Sequence, residues 1–294
     1  MDRHAHWHRQ QTSAGLPILR PDEKPVPLKA PAMPPMKYFG GKTKIRKEII
    51  KKMPPHQTYV EPFAGSGTVL LAKPPSKREV LNDKSPEIMK VHKSVKARAQ
   101  VWHLSKSRRR WEEIKRKQPS QRSAEETAYL IGHSFNGLGK NWSNHSREGN
   151  YDVGRIHQRE KDVIMASTDF ADTMRRWDSE TTLHYLDPPY VQGGDEYAVH
   201  GVTPKRVAEV AGKMKGKVIV SYDDRQEVRR AFGAKKWRKN TIGHVYSSGT
   251  GGLPGRPHEI KHVRELLVTN YDIGKTRASA PPFDESRAKK QLHT

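Results

Sequence analysis

Asp187-Pro188-Pro189-Tyr190, at the end of the apolar run Leu183-His184-Tyr185-Leu186, puts a carboxylate, backbone carbonyls and an aromatic face around one small volume. Neither proline carries an N–H, so the turn is stiff and its carbonyls point at whatever lies there. A planar amino group on a nucleobase asks for this set: two in-plane acceptors and a ring to stack on. Alone, the tetrapeptide reads equally as a Pro-rich turn closing a buried strand. Other residues point the same way. In Glu61-Pro62-Phe63-Ala64-Gly65-Ser66-Gly67 the glycines let a ligand approach the backbone just before a helix N-terminus. Leu70 stands where a dinucleotide fingerprint needs its third glycine, which disfavours NAD or FAD. Asp83, 18 residues beyond Gly65, sits where a carboxylate meets ribose hydroxyls in such folds; its bland role is a turn residue. Asp169-Phe170 closes a further strand and can face the same crevice, although Phe170 alone reads as core. Gly40-Gly41-Lys42-Thr43 imitates the end of a phosphate-binding loop, but Met36 occupies the position of its first glycine and no strand precedes it. Lys42 can still meet a carboxylate or phosphate, and Tyr38 beside it can pack on a ligand.

These side chains need a scaffold that carries them to one edge. Strand-like runs at Tyr59 to Glu61, Glu79 to Asn82, Val163 to Met165, Leu183 to Leu186 and Val218 to Ser221 alternate with helical stretches, the first through Val69-Leu70-Leu71. Thr241 to Tyr246 and Leu266 to Val268 read as a final antiparallel pair. Short strands separated by helices predict an α/β fold with a mostly parallel, doubly wound sheet. Ligands of such sheets bind outside the carboxyl ends of the strands. The alternation breaks between about Lys96 and Arg159. There, Trp102 to Lys117 and Ala124 to Gly132 read as helices, and 136–149 is rich in Gly, Asn and Ser. A break of that length predicts an inserted subdomain. The expected boundaries are a Pro-rich, disordered leader at 1–35, a folded domain made of 36–95 and 160–272, an insert at 96–159 and a loose tail at 273–294.

The 294 residues hold 55 Lys and Arg against 32 Asp and Glu, a net charge of +23. The excess is concentrated: Lys90 to Arg122 holds twelve bases against Glu112 and Glu113, and Arg225 to Lys239 holds seven against Glu227. A solvated helix face accounts for either cluster alone; together they favour a polyanionic partner, of which nucleic acid is the commonest. Trp102 and Trp111 read as anchors of a small helical core, and Trp142 as either core or stacking surface. Without cysteine, disulfides and thiolate metal sites are excluded. His4, His6 and His8 alternate in the leader without further ligands, so no metal is expected. No apolar run approaches the ~20 residues of a membrane helix, and the expected location is the cytoplasm.

In this order and spacing the motifs resemble the Dam-like (alpha-group) DNA adenine methyltransferases, over nearly all of Met36 to Tyr271. The resemblance implies a Rossmann-like S-adenosylmethionine-dependent methyltransferase sheet with an inserted helical/hairpin target-recognition subdomain. It implies that Lys37-Tyr38-Phe39-Gly40-Gly41-Lys42 holds the methionine end of S-adenosylmethionine, with Lys37 also assigned to DNA. Glu61, Phe63, Ala64, Gly65, Ser66 and Gly67 become the cofactor loop, Asp83 the ribose partner, and Asp169-Phe170 the adenosine contact. Asp187, Pro188, Pro189 and Tyr190 become the catalytic tetrapeptide. Phe135 to Asn141 resembles the DNA-reading hairpin segment, with Asn136, Lys140 and Asn141 as candidates for base edges, Gly149-Asn150-Tyr151 near its ending, and Arg108, Arg109 and Arg110 as phosphate contacts. Glu265 to Tyr271 resembles the closing strand. The hairpin departs from the family pattern at 142–147, which leaves the target sequence open. The implied reaction is methyl transfer from S-adenosylmethionine to the 6-amino group of a flipped-out adenine in double-stranded DNA, with no metal. Three alternatives remain: cytosine 4-amino methylation in DNA, an RNA or protein methyltransferase with a similar tetrapeptide, and a non-catalytic basic DNA-binding protein on a relict cofactor fold. The intact Glu61, Asp83 and Asp187 argue against the last.

Overall fold

The computed structural model describes residues 34–36, 38, 40–98, 101–103, 105–144, 150–190, 201–247 and 260–273. Lys37, Phe39, 145–149, the tail from 274 and all of the leader except Pro34 and Pro35 lie outside the described residues, and with them the expectations placed there. β1 (Thr58–Glu61), β2 (Arg78–Asn82), β5 (Ile164–Ala166), β6 (Thr182–Leu186) and β7 (Lys217–Asp223) run parallel to one another. β8 (Arg238–Ser247) and β9 (Ile260–Thr269) form the antiparallel pair, with β9 joined to β7. The order across this seven-stranded, Rossmann-like α/β sheet is β5-β2-β1-β6-β7-β9-β8. The chain therefore winds outward one way from β1 and the other way from β6. The switch point lies between those two strands, where open α/β sheets bind their ligands.

Both faces of the central strands are covered, so β1 and β6 are buried along their whole lengths, polar residues included. Successive residues of β6 still alternate between two cores: Leu183 and Tyr185 join one, Leu186 the other. The first core also contains Leu70 and Leu71 of α2 (Thr68–Ala72) and Val91 and Val95 of α3 (Pro86–Ala97). It continues without interruption into Trp102, Trp111, Tyr129 and Ile156, so the segment expected as an insert packs against the same apolar body. The second gathers Phe170, Val218, Val220, Phe232 and Leu266. No helix among the described residues is long and apolar enough to cross a membrane.

Two local readings change. Trp102 to Lys117 is not one helix: Trp102 lies in β3 (Val101–His103), paired antiparallel with Tyr151 of β4 (Asn150–Asp152), and α4 spans Arg108–Arg116. Ser107 starts α4, its extended backbone and its hydroxyl accepting from the Arg110 N–H making it an N-cap. Asp169-Phe170 does not close a strand either. β5 ends at Ala166, one residue later than expected, and Asp169 caps α7 (Phe170–Arg176) by accepting from the Ala171 N–H. The helix expected at Ala124 to Gly132 is present as α5, closed by a Ser123/Glu126 capping box.

Candidate active site

The turn after β1 is shaped by two glycines in the left-handed region, Gly65 at φ 47° and Gly67 at φ 66°. A Cβ on Gly65 would lie 2.8 Å from the Tyr38 ring, and one on Gly67 would lie 3.0 Å from the His92 ring. Backbone strain and lack of room therefore both call for glycine. The turn after β2 fastens this loop. Asp83 Oδ2 accepts from the Gly65 N–H at 2.9 Å, and Oδ1 from the Ser85 N–H at 2.9 Å. Asn82 ties in the β5 side, donating to the Pro62 and Thr168 carbonyls and accepting from the Thr168 N–H at 2.9 Å. Behind the loop, the His92 ring nitrogens lie 3.0 Å from the Gly65 carbonyl and 2.8 Å from Glu160.

These turns border a cleft of about 820 Å³, counting its solvent-open mouth. Tyr38, Gly41 and Lys42 line one side, Phe63, Ala64, Gly65 and Ser66 the floor, and Asp83, Asp169 and Phe170 the far wall. Phe63 and Phe170 sit 5.0 Å apart and tilted by 30°, an apolar flank for a flat ring. Arg206 lies over the Phe170 face at 4.8 Å and donates to Asp169 at 2.8 Å. Asp187 and Pro189 complete the cleft at its β6 end.

Lys42 is buried with its ammonium 2.5 Å from Asp187 Oδ1, 2.9 Å from the Gly40 carbonyl and 3.6 Å from Glu265. Burial pulls its proton affinity down, but Asp187 and Glu265 outweigh that and hold it above the usual lysine value. Burial pushes Asp187 up to about 6; Lys42 opposes the rise and Glu265 adds to it. Tyr190 lies outside the cleft lining, with the Lys42 ammonium 4.9 Å over its ring and its hydroxyl donating to Glu265 at 2.7 Å. Among the described residues nothing donates to Pro188.

Eleven expected residues thus share one cleft. Glu61, Gly67, Pro188 and Tyr190 stand outside its lining. Glu61 is buried behind the wall, accepting from the Tyr59 hydroxyl at 2.7 Å and the Leu70 N–H at 3.1 Å, and burial pushes its carboxyl up to about 8. Of the residues assigned to DNA, Arg108, Lys140 and Asn141 line a second groove together with Trp111, Lys115 and Trp142. Residues 134–142 form a tight loop, closed by a Ser134–Trp142 bridge and by the Phe135 N–H donating to the Asn141 carbonyl at 2.7 Å. Asn136 is exposed on it with φ 55°. Arg109 is exposed and paired with Glu113, while Arg110 pairs with Glu125 and lies over Tyr129.

The sequence reading missed Glu265, Ser221, His92 and Arg206. Glu265 carried a signal, a single acid heading the apolar run Leu266-Leu267-Val268. For the others, no spacing rule marks a side chain whose partner lies far away in sequence.

Residues 38–141 match the family model described as D12 class N6 adenine-specific DNA methyltransferase. No curated protein matches the chain. Among solved structures, a SAM-dependent O-methyltransferase from Thermotoga maritima is 10% identical over 77% of this chain and 64% of its own, with a TM-score of 0.40. A precorrin-6y C5,15-methyltransferase from Geobacter metallireducens is 8% identical over 80% of this chain and 96% of its own, at 0.41. A precorrin 8w decarboxylase from Methanobacterium thermoautotrophicum is 12% identical over 77% and 89%, at 0.36. At such TM-scores these likenesses carry no argument about activity.

Proposed function

We propose that this chain, whose residues 38–141 match the family model of D12 class N6 adenine-specific DNA methyltransferases, methylates the 6-amino group of an adenine extruded from duplex DNA. The donor is S-adenosylmethionine, which supplies an electrophilic methyl on a sulfonium. The residues present suit it: an apolar flank at Phe63 and Phe170, carboxylates at Asp83 and Asp169, and a glycine turn that leaves room at the backbone. The observation that carries the reading is Asp187, half-buried against Lys42 where the cofactor cleft meets the Pro-Pro turn.

The adenine 6-amino group is a poor nucleophile because its lone pair is delocalised into the ring. Asp187 and the Pro188 carbonyl each accept one of its hydrogens, which draws the lone pair out of conjugation and stabilises the positive charge that develops on nitrogen. As the nitrogen bonds the methyl carbon and the carbon–sulfur bond breaks, one N–H proton must leave. With its carboxyl raised to about 6, Asp187 is ionised at neutral pH and basic enough to take that proton before passing it to solvent. Tyr190 supplies the stacking face that aligns the base. Extrusion costs a few kcal/mol, offset by phosphate contacts from the basic segment, where Arg108, Lys140 and Asn141 share a groove. Lys37 and Arg109 are proposed as further backbone contacts, and Asn136, Lys140 and Asn141 as base-edge contacts.

The test is nucleoside mass spectrometry on duplex DNA incubated with the protein and S-adenosylmethionine. N6-methyladenine is expected, and Asp187→Ala should abolish it while duplex binding survives. Appearance of 4-methylcytosine alone, or undiminished product from Asp187→Ala, refutes the reading.

A further inference from the structure

We infer that Glu265, on the closing antiparallel strand, is a positioning residue that fixes the ring of Tyr190 through its hydroxyl. Glu265 is fully buried in β9, in register with Asp223 of β7 and Ile242 of β8. A carboxylate buried beside the apolar run Leu266-Leu267-Val268 persists when its oxygens are partnered. Both are: the Tyr190 hydroxyl lies 2.7 Å from each, and the Ser221 hydroxyl donates to Oε1. The Lys42 ammonium stands 3.6 Å away. One side chain on β9 therefore ties together the catalytic turn, β7 and the lysine that holds Asp187.

Stacking needs only the aromatic face, and a phenylalanine would supply that. The hydroxyl does something else: it anchors the far end of the ring. The ring lies 6.3 Å from Tyr222, tilted by 37°. The Lys42 ammonium lies 4.9 Å over the same ring, and the far end, its hydroxyl, is held by Glu265. The Glu265 contact thus fixes the hydroxyl end of the ring before the base arrives, and small misplacements of a positioning group cost rate. This inference rests on the reading of Tyr190 as the stacking face.

The experiment compares Tyr190→Phe, Glu265→Leu, Glu265→Gln and the Phe/Leu double variant. It measures single-turnover methyl transfer at saturating S-adenosylmethionine and, separately, cofactor affinity. Loss of a hydrogen bond to a charged acceptor predicts about a tenfold or larger slowing in Tyr190→Phe and Glu265→Leu, with cofactor Kd changed by less than about threefold. The double variant should be no slower than the slower single one, because both remove the same hydrogen bond. Glu265→Gln keeps an acceptor oxygen and should recover most of the rate. A wild-type rate in Tyr190→Phe, or additive losses in the double variant, overturns the inference. If Glu265→Leu does not fold, Tyr190→Phe alone decides, since it deletes one oxygen from a partly exposed ring. Absence of methyl transfer by the wild-type chain instead sinks the underlying reading of the site.

Discussion

Replacing Lys42 by methionine keeps most of the aliphatic stem and removes the charge beside Asp187. The consequence can be worked from the geometry. Asp187 stands at about 6 because burial raises it while Lys42, 2.5 Å away, holds it down. An opposite charge at close range depresses a carboxyl by about 1–3 units, so its loss should lift Asp187 to roughly 7–9. The sign is definite: the reaction needs the ionised form, so the acid limb of the rate profile moves to higher pH. At pH 7.5 the ionised fraction is about 97% for a group titrating near 6, and falls to between about 76% and 3% for one near 7–9. The rate at that pH should drop in proportion and return as the pH rises. The assay is single-turnover methyl transfer from pH 5 to pH 9.5 at saturating S-adenosylmethionine, which separates the shift of the limb from any loss of cofactor affinity. Lys42→Arg, which keeps the charge, should retain a limb near 6. If Lys42→Met is slow at every pH with its limb unmoved, Lys42 is not what holds Asp187 ionised.

Three further perturbations test other parts of the site. Gly65→Ala forces a side chain into the left-handed region and against the Tyr38 ring, so stability should fall by about 1–2 kcal/mol, read by urea unfolding, and S-adenosylmethionine affinity should fall at least tenfold in a calorimetric titration. Unaltered cofactor binding would mean that the loop is not the cofactor's seat. Reversing Arg108 and Lys140 to glutamate should weaken duplex binding and reduce the slope of log K against log salt by about 0.9 for each phosphate that is no longer neutralised. An unchanged slope places that groove away from DNA. Glu79→Gln should be the most damaging structural change. Glu79 is buried between Lys73 at 2.5 Å and Arg159, and breaking such a pair costs about 3–5 kcal/mol, measurable as a lower urea midpoint.

Much of the fold was legible because burial leaves a simple trace. β1, β6 and β7 are covered on both faces, so each appears as a short apolar run between turn residues. The glycine turn and the Asp-Pro-Pro-Tyr turn were legible because few residue types satisfy a left-handed backbone or a rigid corner. Trp102 misled because an aromatic beside a basic stretch fits a helix as well as a strand; pairing with Tyr151, 49 residues later, decided it. Asp169 was placed at the cleft but on the wrong element, since an N-cap aspartate and a strand-end aspartate look alike in sequence. Glu265 was legible as part of a strand and not as a partner of Tyr190, because that contact spans 75 positions.

His92 gives α3 a second task. Its ring reaches the Gly65 carbonyl on one side and Glu160 of α6 (Gly154–Glu160) on the other, while the same helix packs in one core with Trp111 and Tyr129 of the basic segment. Through His92 near its middle, the helix thus touches the glycine loop while its apolar side packs in one core with the basic segment. If donor binding at the loop and duplex binding at that segment are coupled through it, thermodynamic reciprocity makes the two effects equal. Donor affinity measured with and without duplex should therefore change by the same factor as duplex affinity measured with and without donor.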